Sequence, residues 1–313
     1  MDHASAFAPG SVSNVACGFD IMGFALEGPG DTVTVRLTRK PGIVITRITG
    51  TAADLPRDPA LNTAGAPVLA MFKEAGTQFG AEIVIHKGLP LGSGIGSSAA
   101  SAVAAAVASN AALGAGLAPD ALLPFAIEGE KIASGAVHVD NLSPSLLGGF
   151  ILVRGYDPID LIRIVPPEDL WCTIVRPHIE IRTKESRRAL PTCVPLHDVV
   201  TQTGNAAGLV AGLLKGDYAL IGRSLHDVIA EPVRGPLIPA FKEMQAAAIR
   251  AGALGCSISG SGPSVFALSV TRKTAEEVSN VLGRILEERR CPHSRFVSSI
   301  SPSGARVCAG ENA

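Results

Sequence analysis

Apolar and polar positions alternate along residues 31 to 49, DTVTVRLTRKPGIVITRIT, around Pro41-Gly42. That period predicts two half-buried strands, and the simplest pairing for them is an antiparallel hairpin turning at Pro41-Gly42. Residues 63 to 79 carry a helical pattern, and AEIVIHKGLP (81 to 90) is a strand that runs into glycines from Gly92 onward. A helix is predicted from about Ser98 to Leu113, and a second from Pro119 to Ser134, where Pro119 and Asp120 supply start signals. GGFILVRG (148 to 155) is the next strand. The Pro- and Asp-rich segment that follows, YDPIDLIRIVPPEDL, marks the passage to a second domain, giving a division into 1–160 and 161–313.

The second half predicts strand (170 to 176), helices (197 to 215, 217 to 230, 236 to 252), strands (253 to 259, 264 to 270), helix (273 to 290) and strand (294 to 300). A few disordered residues are expected after Arg306. The layout is α+β. No internal repeat interrupts it.

Composition narrows the partner. The chain has 313 residues with 47% hydrophobic content, enough for a large core. Its 27 Lys and Arg against 28 Asp and Glu leave a net charge of −1, so it projects no field for gathering nucleic acid, and a small-molecule partner is expected. The six cysteines are scattered without a C-x-x-C pair or clustered histidines, a pattern of reduced thiols rather than a zinc site. The first residues, MDHASAFAPGSV, lack the basic and apolar regions of a secretory signal, and a cytoplasmic location is expected. No charge falls between Lys87 and Asp120, but the stretch is built of Gly, Ala and Ser and reads as a loop and a buried helix, not a membrane span.

Three loops carry the candidate chemistry. In PLGSGIGSSAASAVAAAV (90 to 107) a strand meets Gly92, Gly94 and Gly96, then Ser97 and Ser98, then an alanine-rich helix. Residues lacking Cβ let backbone N–H groups approach an anion, and the free amides and dipole of the first helical turn favour its charge. Ser98 is placed to ligate Mg²⁺. A P-loop would need Gly-Lys-Ser/Thr, and a dinucleotide fingerprint would need G-x-G-x-x-G with an acid about 20 residues on; neither is present. The second loop, FAPGSVSNVACGFDIMGFALEGPGD (7 to 31), sets Asn14 and Asp20 among small and apolar residues; taken alone, such a pair more often serves turns than ligands. The third, LGCSISGSGPSVFAL (254 to 268), is two strand-like runs joined by Gly260-Ser261-Gly262-Pro263, by itself a tight hairpin-like connection.

In this order and spacing, the three loops resemble the three motifs of the GHMP kinases, the superfamily of galactokinase and of homoserine, mevalonate and phosphomevalonate kinases. VHVDNLSPSLLGGF (137 to 150), IRTKESRRALP (181 to 191) and EPVRGPLIPAF (231 to 241) are similar to segments of its homoserine kinase branch. The resemblance implies an N-terminal domain of the ribosomal protein S5 domain 2 type and a C-terminal ferredoxin-like domain. It implies ATP with its phosphates on residues 90 to 100 (Pro90, Leu91, Gly92, Ser93, Gly94, Ile95, Gly96, Ser97, Ser98, Ala99, Ala100), the nucleoside near Asn62 and Lys87, and Mg²⁺ on Glu130 and Ser98. For an L-homoserine substrate, phosphorylated on its hydroxyl toward threonine biosynthesis, the matching positions are Asn14, Asp20, His138, Asn141, Thr183, Arg187 and Arg234. Two guanidiniums suit the α-carboxylate, and a carboxylate such as Asp20 suits the ammonium. A homodimer is also implied.

The first loop departs from the family pattern P-A-S-S-A-N-L-G-P-G-F-D: Gly10 and Ser13 replace alanines, and Val15-Ala16-Cys17 replace Leu-Gly-Pro. The substrate-facing groups are therefore expected to be kept and the turn between them rebuilt. Asn141 is read as orienting the acceptor hydroxyl and Asp140 as the candidate base, with deprotonation by the substrate phosphate as a third route. Rival readings are a GHMP kinase for mevalonate, shikimate or a sugar, and a non-catalytic ligand sensor on the same fold.

Overall fold

The computed structural model describes residues 3–134, 137–181 and 183–308, with Ser134, Thr183 and Lys184 described by their backbone alone. Among them, the first layer is a seven-stranded sheet of β1 (His3–Ser13), β2 (Met22–Thr38), β3 (Ile43–Gly50), β4 (Gly80–Lys87), β5 (Phe150–Tyr156), β6 (Ile159–Ile164) and β11 (Arg306–Cys308). Its order is β11-β1-β2-β4-β3, with β5 and β6 attached through β2. The helices of this half are α1 (Gly65–Glu74), α2 (Ser97–Leu113), α3 (Leu123–Ser134) and α4 (Val139–Leu147).

The second layer is a four-stranded antiparallel sheet in the order β10-β7-β9-β8, made of β7 (Trp171–Pro177), β8 (Gly255–Ile258), β9 (Val265–Ser269) and β10 (His293–Ser299). Around it lie α5 (Thr183–Arg188), α6 (Leu196–Lys215), α7 (Tyr218–Ser224), α8 (Glu231–Arg234), α9 (Phe241–Arg250) and α10 (Arg272–Glu288). Sheet membership changes between Ile164 and Trp171, and β11 returns to the first sheet.

Helix α2 organises the first half. Alanine has no side-chain entropy to lose, so residues 97–113 form a stable helix thin enough to be buried nearly all round, with Ala99, Ala100 and Ala102 to Ala106 among its inaccessible positions. It packs on β1 and β2, and Gly114 closes it in the left-handed conformation.

Three expectations are corrected. Residues 31–38 and 43–49 are strands but not a hairpin: β4 lies between them, antiparallel to β2 and parallel to β3. Alternation reports which face of a strand is buried and says nothing of its partner; β3 and β4 are joined by a crossover through α1, as parallel neighbours require. The helix expected over 217 to 230 stops at Ser224 because Asp227 accepts the backbone amides of Ile229, Ala230 and Glu231, offering the chain a competing local structure. Of the residues expected to be disordered after Arg306, Val307 and Cys308 instead pair with Ala6 and Ser5, and 309–313 lie outside the described residues.

No helix among the described residues is long and apolar enough to cross a membrane.

Candidate active site

The three loops converge on one cavity of about 370 Å³. Its lining includes Asn14, Asp20, Asn62, Lys87, Ser98, Glu130, His138, Asp140, Asn141, Arg187 and Arg234, which brings together every candidate side chain outside the glycine-rich loop except Thr183. Thr183 opens α5, and its side chain lies outside the described residues.

At one end, β4 delivers the chain into the glycine-rich loop. Gly92, Gly94 and Gly96 all take positive φ, and a Cβ on Gly96 would fall 2.2 Å from Ser11 Oγ. The loop is held from both sides: Ser11 N donates to the Ile95 carbonyl at 3.1 Å, and Ser259 Oγ to the Gly94 carbonyl at 2.6 Å. No side chain caps α2, whose first backbone bond runs from Ala100 N to the Gly96 carbonyl. The amides before that bond are the free donors of an anion site. Leu91, Gly92, Ser93, Gly94, Gly96, Ser97 and Ser98 line the cavity. Ile95, Ala99 and Ala100 are buried in the core instead, and Pro90 is not part of the lining. Ser97 turns inward, donating to the Leu89 carbonyl at 3.1 Å, whereas the buried Ser93 Oγ has no partner.

Beside the loop, Ser98 Oγ donates to Glu130 Oε2 at 2.9 Å. Two hard oxygens at the edge of an anion cradle suit Mg²⁺, which prefers one or two protein oxygens plus phosphate.

At the other end, the first loop folds tightly: Asn14, Ala16 and Asp20 all have positive φ, rare for residues with side chains. Asn14 is the knot. Its Nδ2 donates to the Gly260 carbonyl at 2.7 Å, its Oδ1 accepts from Asp20 N at 2.9 Å, and its own amide donates to Asp140 Oδ2 at 3.3 Å. It joins the first loop, the third loop and α4, so its amide group is committed to the protein. Asp20 accepts from Arg187 Nη2 at 2.8 and 2.9 Å, with the pair 29% and 41% exposed. Arg234 is 4% exposed; it donates to the Gly260 carbonyl at 3.2 Å, while its Nε finds no partner. Phe19 lies between the guanidiniums, 5.7 Å from Arg187 and 5.0 Å from Arg234.

The remaining groups come from α4. His138 stands at its N-cap with Nε2 buried and unpartnered; burial, then the charge of Arg187, lowers its pKa and leaves the ring neutral. Burial, reinforced by Asp20, raises the Asp140 pKa to about 7, and its Oδ1 has no partner. Asn141 is clamped from β1, donating to Ser13 Oγ at 2.8 Å and accepting from Ser11 Oγ at 3.1 Å.

The two expected nucleoside contacts, Lys87 and Asn62, both line the cavity, and both have polar groups bonded to the protein. Lys87 reaches into the protein: its ammonium pairs with Asp31 and donates to the Ser97 carbonyl and Ser101 Oγ, each at 2.8 Å, which uses all three hydrogens. Asn62 lines the cavity, but its amide bonds the Pro56 carbonyl at 2.7 Å and Ala64 N at 2.9 Å, shaping the loop before α1. The sequence reading missed Ser11, Ser13, Phe19 and Asp31. A polar residue inside an apolar strand was the available signal for the serines; nothing local marks Phe19.

One cavity thus joins the glycine-rich loop and the Ser98–Glu130 oxygens to Asp20, Arg187 and Arg234, and comparison with known proteins places the chain in the class of GHMP kinases. Residues 62–149 match the GHMP kinases N terminal domain and residues 209–288 the GHMP kinases C terminal domain. Homoserine kinase of Chlorobium phaeovibrioides is 47% identical over 319 residues, covering 98% of this chain and 100% of the relative. That of Arabidopsis thaliana is 43% identical, over 94% of this chain and 80% of the relative. The crystal structure of homoserine kinase from Cytophaga hutchinsonii superimposes with a TM-score of 0.95 at 47% identity, covering 98% of both chains. The chain belongs to the homoserine kinase family. At 15% identity and a TM-score of 0.69, the structure of L. major mevalonate kinase shares the fold alone.

Proposed function

We propose that the protein transfers the γ-phosphoryl group of ATP to the side-chain hydroxyl of L-homoserine, yielding O-phospho-L-homoserine and ADP, as the names of its relatives suggest. The observation that carries this reading is one cavity with a backbone-built anion cradle at one end and Arg234, Arg187 and Asp20 at the other. A homoserine zwitterion exchanges the Asp20–Arg187 pair for two: its carboxylate meets Arg234 and Arg187, and its ammonium meets Asp20. That also satisfies the buried, unpartnered Nε of Arg234.

Ser98 and Glu130 would hold Mg²⁺, which when bound neutralises charge on the transferred phosphoryl group. The free amides at the start of α2 and the Ser93 hydroxyl bind the phosphate oxygens. Asn141, immobilised by Ser11 and Ser13, orients the acceptor hydroxyl. Asp140 receives its proton: the free Oδ1 and a pKa near neutrality suit a general base. Because phosphoryl transfer is largely dissociative, positioning contributes more than this proton transfer.

An ADP-coupled assay with Mg²⁺ tests the reading against L-homoserine, L-serine, mevalonate, shikimate and galactose. Turnover with L-homoserine far above the others is the expected result. Turnover of an amine-free acceptor instead would reassign Asp20, and no turnover with any of them would remove catalysis from the account.

A further inference from the structure

Lys87 ends β4 at 1% exposure, and its partner Asp31 on β2 is 0% exposed. Asp31 is saturated: Oδ1 accepts from Gly88 N at 3.0 Å and Leu89 N at 3.1 Å, and Oδ2 from Lys87 and from Ser101 Oγ at 2.6 Å. A buried ion pair is a poor device for stability alone, because apolar side chains of similar volume usually serve as well or better. One of its bonds leads elsewhere. The Ser97 carbonyl, 2.8 Å from the Lys87 ammonium, shares its peptide unit with the Ser98 amide. That amide precedes the first backbone bond of α2, from Ala100 N to the Gly96 carbonyl, and so is one of the free donors facing the anion end of the cavity.

A peptide unit is planar and resonant, so a cation on its carbonyl oxygen draws electron density from its nitrogen and makes the N–H a stronger donor. We propose that Lys87 is a positioning residue for the nucleotide, fixing and polarising the Ser97–Ser98 peptide so that its charge acts on a bound phosphate without touching it. The proposal rests on the placement of the triphosphate at residues 90–100. Asp31 aims the ammonium, and Ser101, bonded to both, closes the arrangement. Through the amides of Gly88 and Leu89, the same carboxylate fixes where β4 gives way to the loop.

Two double variants separate this from a purely structural role. Asp31→Leu with Lys87→Met replaces the pair by apolar side chains. Asp31→Asn with Lys87→Gln keeps hydrogen-bonding groups without charge, and reads the same quantity should the apolar pair not fold. In either variant with a cooperative melting transition, the Kd of Mg·ADP by calorimetry and the KM of Mg·ATP are expected to rise about 10-fold, a typical loss for a charge-assisted hydrogen bond. The homoserine KM stays at the parental value. A folded variant with parental Mg·ADP affinity overturns the proposal, as does an equal rise in both KM values. Gly96→Ala, which alters the shape of the loop, is measured alongside in folded protein and tests the underlying placement: if it too leaves Mg·ADP affinity unchanged, the phosphates bind elsewhere and both readings fall. If it weakens Mg·ADP binding while the double variants do not, the Lys87 inference alone is lost.

Discussion

At the proposed nucleotide end the cavity is walled chiefly by one run, Leu91 to Ser98, whereas the proposed acceptor end is assembled from side chains of the first loop, α4, α5 and α8. The first kind of site depends on φ angles that glycine adopts freely, and its donors are present in any sequence that folds that way. The second depends on which side chains distant segments bring together, and three of its buried polar atoms, His138 Nε2, Asp140 Oδ1 and Arg234 Nε, have no protein partner. A backbone site tolerates changes of side chain but not of shape. A side-chain site tolerates small changes of shape but not of charge.

The largest expected effect tests the backbone end. Gly96→Ala places a methyl group 2.2 Å from Ser11 Oγ at a φ of 69°. Strain and clash should cost at least about 3 kcal/mol, a kcat/KM loss of roughly 100-fold or more, in the coupled assay. Retained activity would mean that the loop is not held in this shape during turnover.

Next in size is Arg234→Met at the acceptor end. The homoserine KM should rise by an amount worth ~2 to 4 kcal/mol with the ATP KM almost unchanged. Thermal stability should hold or increase, since a buried and incompletely bonded charge is removed. Arg187→Ala should move the homoserine KM the same way by less, because Arg187 is 41% exposed. If both leave the homoserine KM unchanged, the carboxylate clamp is misassigned.

The pH dependence sharpens the contrast, because Asp140 at the acceptor end titrates near neutrality. Folded Asp140 keeps its proton to about pH 7, chiefly through burial, whereas the ordinary value is 3.8. Between those values the folded chain binds more protons than the unfolded one. The stabilising contribution is complete below about pH 4, declines up to about pH 7 and is flat beyond. Asp140→Asn removes that decline, so denaturation should show it gaining on the parent by an amount on the order of 2 kcal/mol between pH 4 and pH 8. Its kcat should lose the rise toward neutral pH that a base at Asp140 produces.

The smallest effect is on stability at Asp20. Asp20→Asn breaks a partly exposed ion pair and should change the unfolding free energy by less than about 1 kcal/mol. Its homoserine KM should nonetheless rise about 10-fold through loss of the ammonium partner. A large stability loss with unchanged KM would make the Asp20–Arg187 pair a structural clasp.

The same contrast explains what could be read before folding was known. The run of residues 81–107 states a strand, a bend and a buried helix, because each depends on local φ, entropy and periodicity. So does the connection at Gly260 to Pro263, where β8 and β9 do pair antiparallel. The partner of β3 could not be read, since period-two patterning is the same whichever strand lies alongside. The partners of Lys87 could not be read either, since nothing beside a lysine at the end of a strand announces that Asp31, 56 residues earlier, lies against it. Phe19 had no local signature because its role depends on two arginines from the other half of the chain.

By itself, the amino-acid sequence determined the elements, the glycine-rich bend and the charge types available to a ligand, all properties set within a few residues of one another. Tertiary structure alone decided which of those charges face the cavity and which are spent on the protein: Arg234 is left with a free Nε, whereas Lys87 is fully bonded. The reason is that a buried polar group takes whatever partner packing brings within about 3 Å, and that partner is chosen by contacts between distant segments.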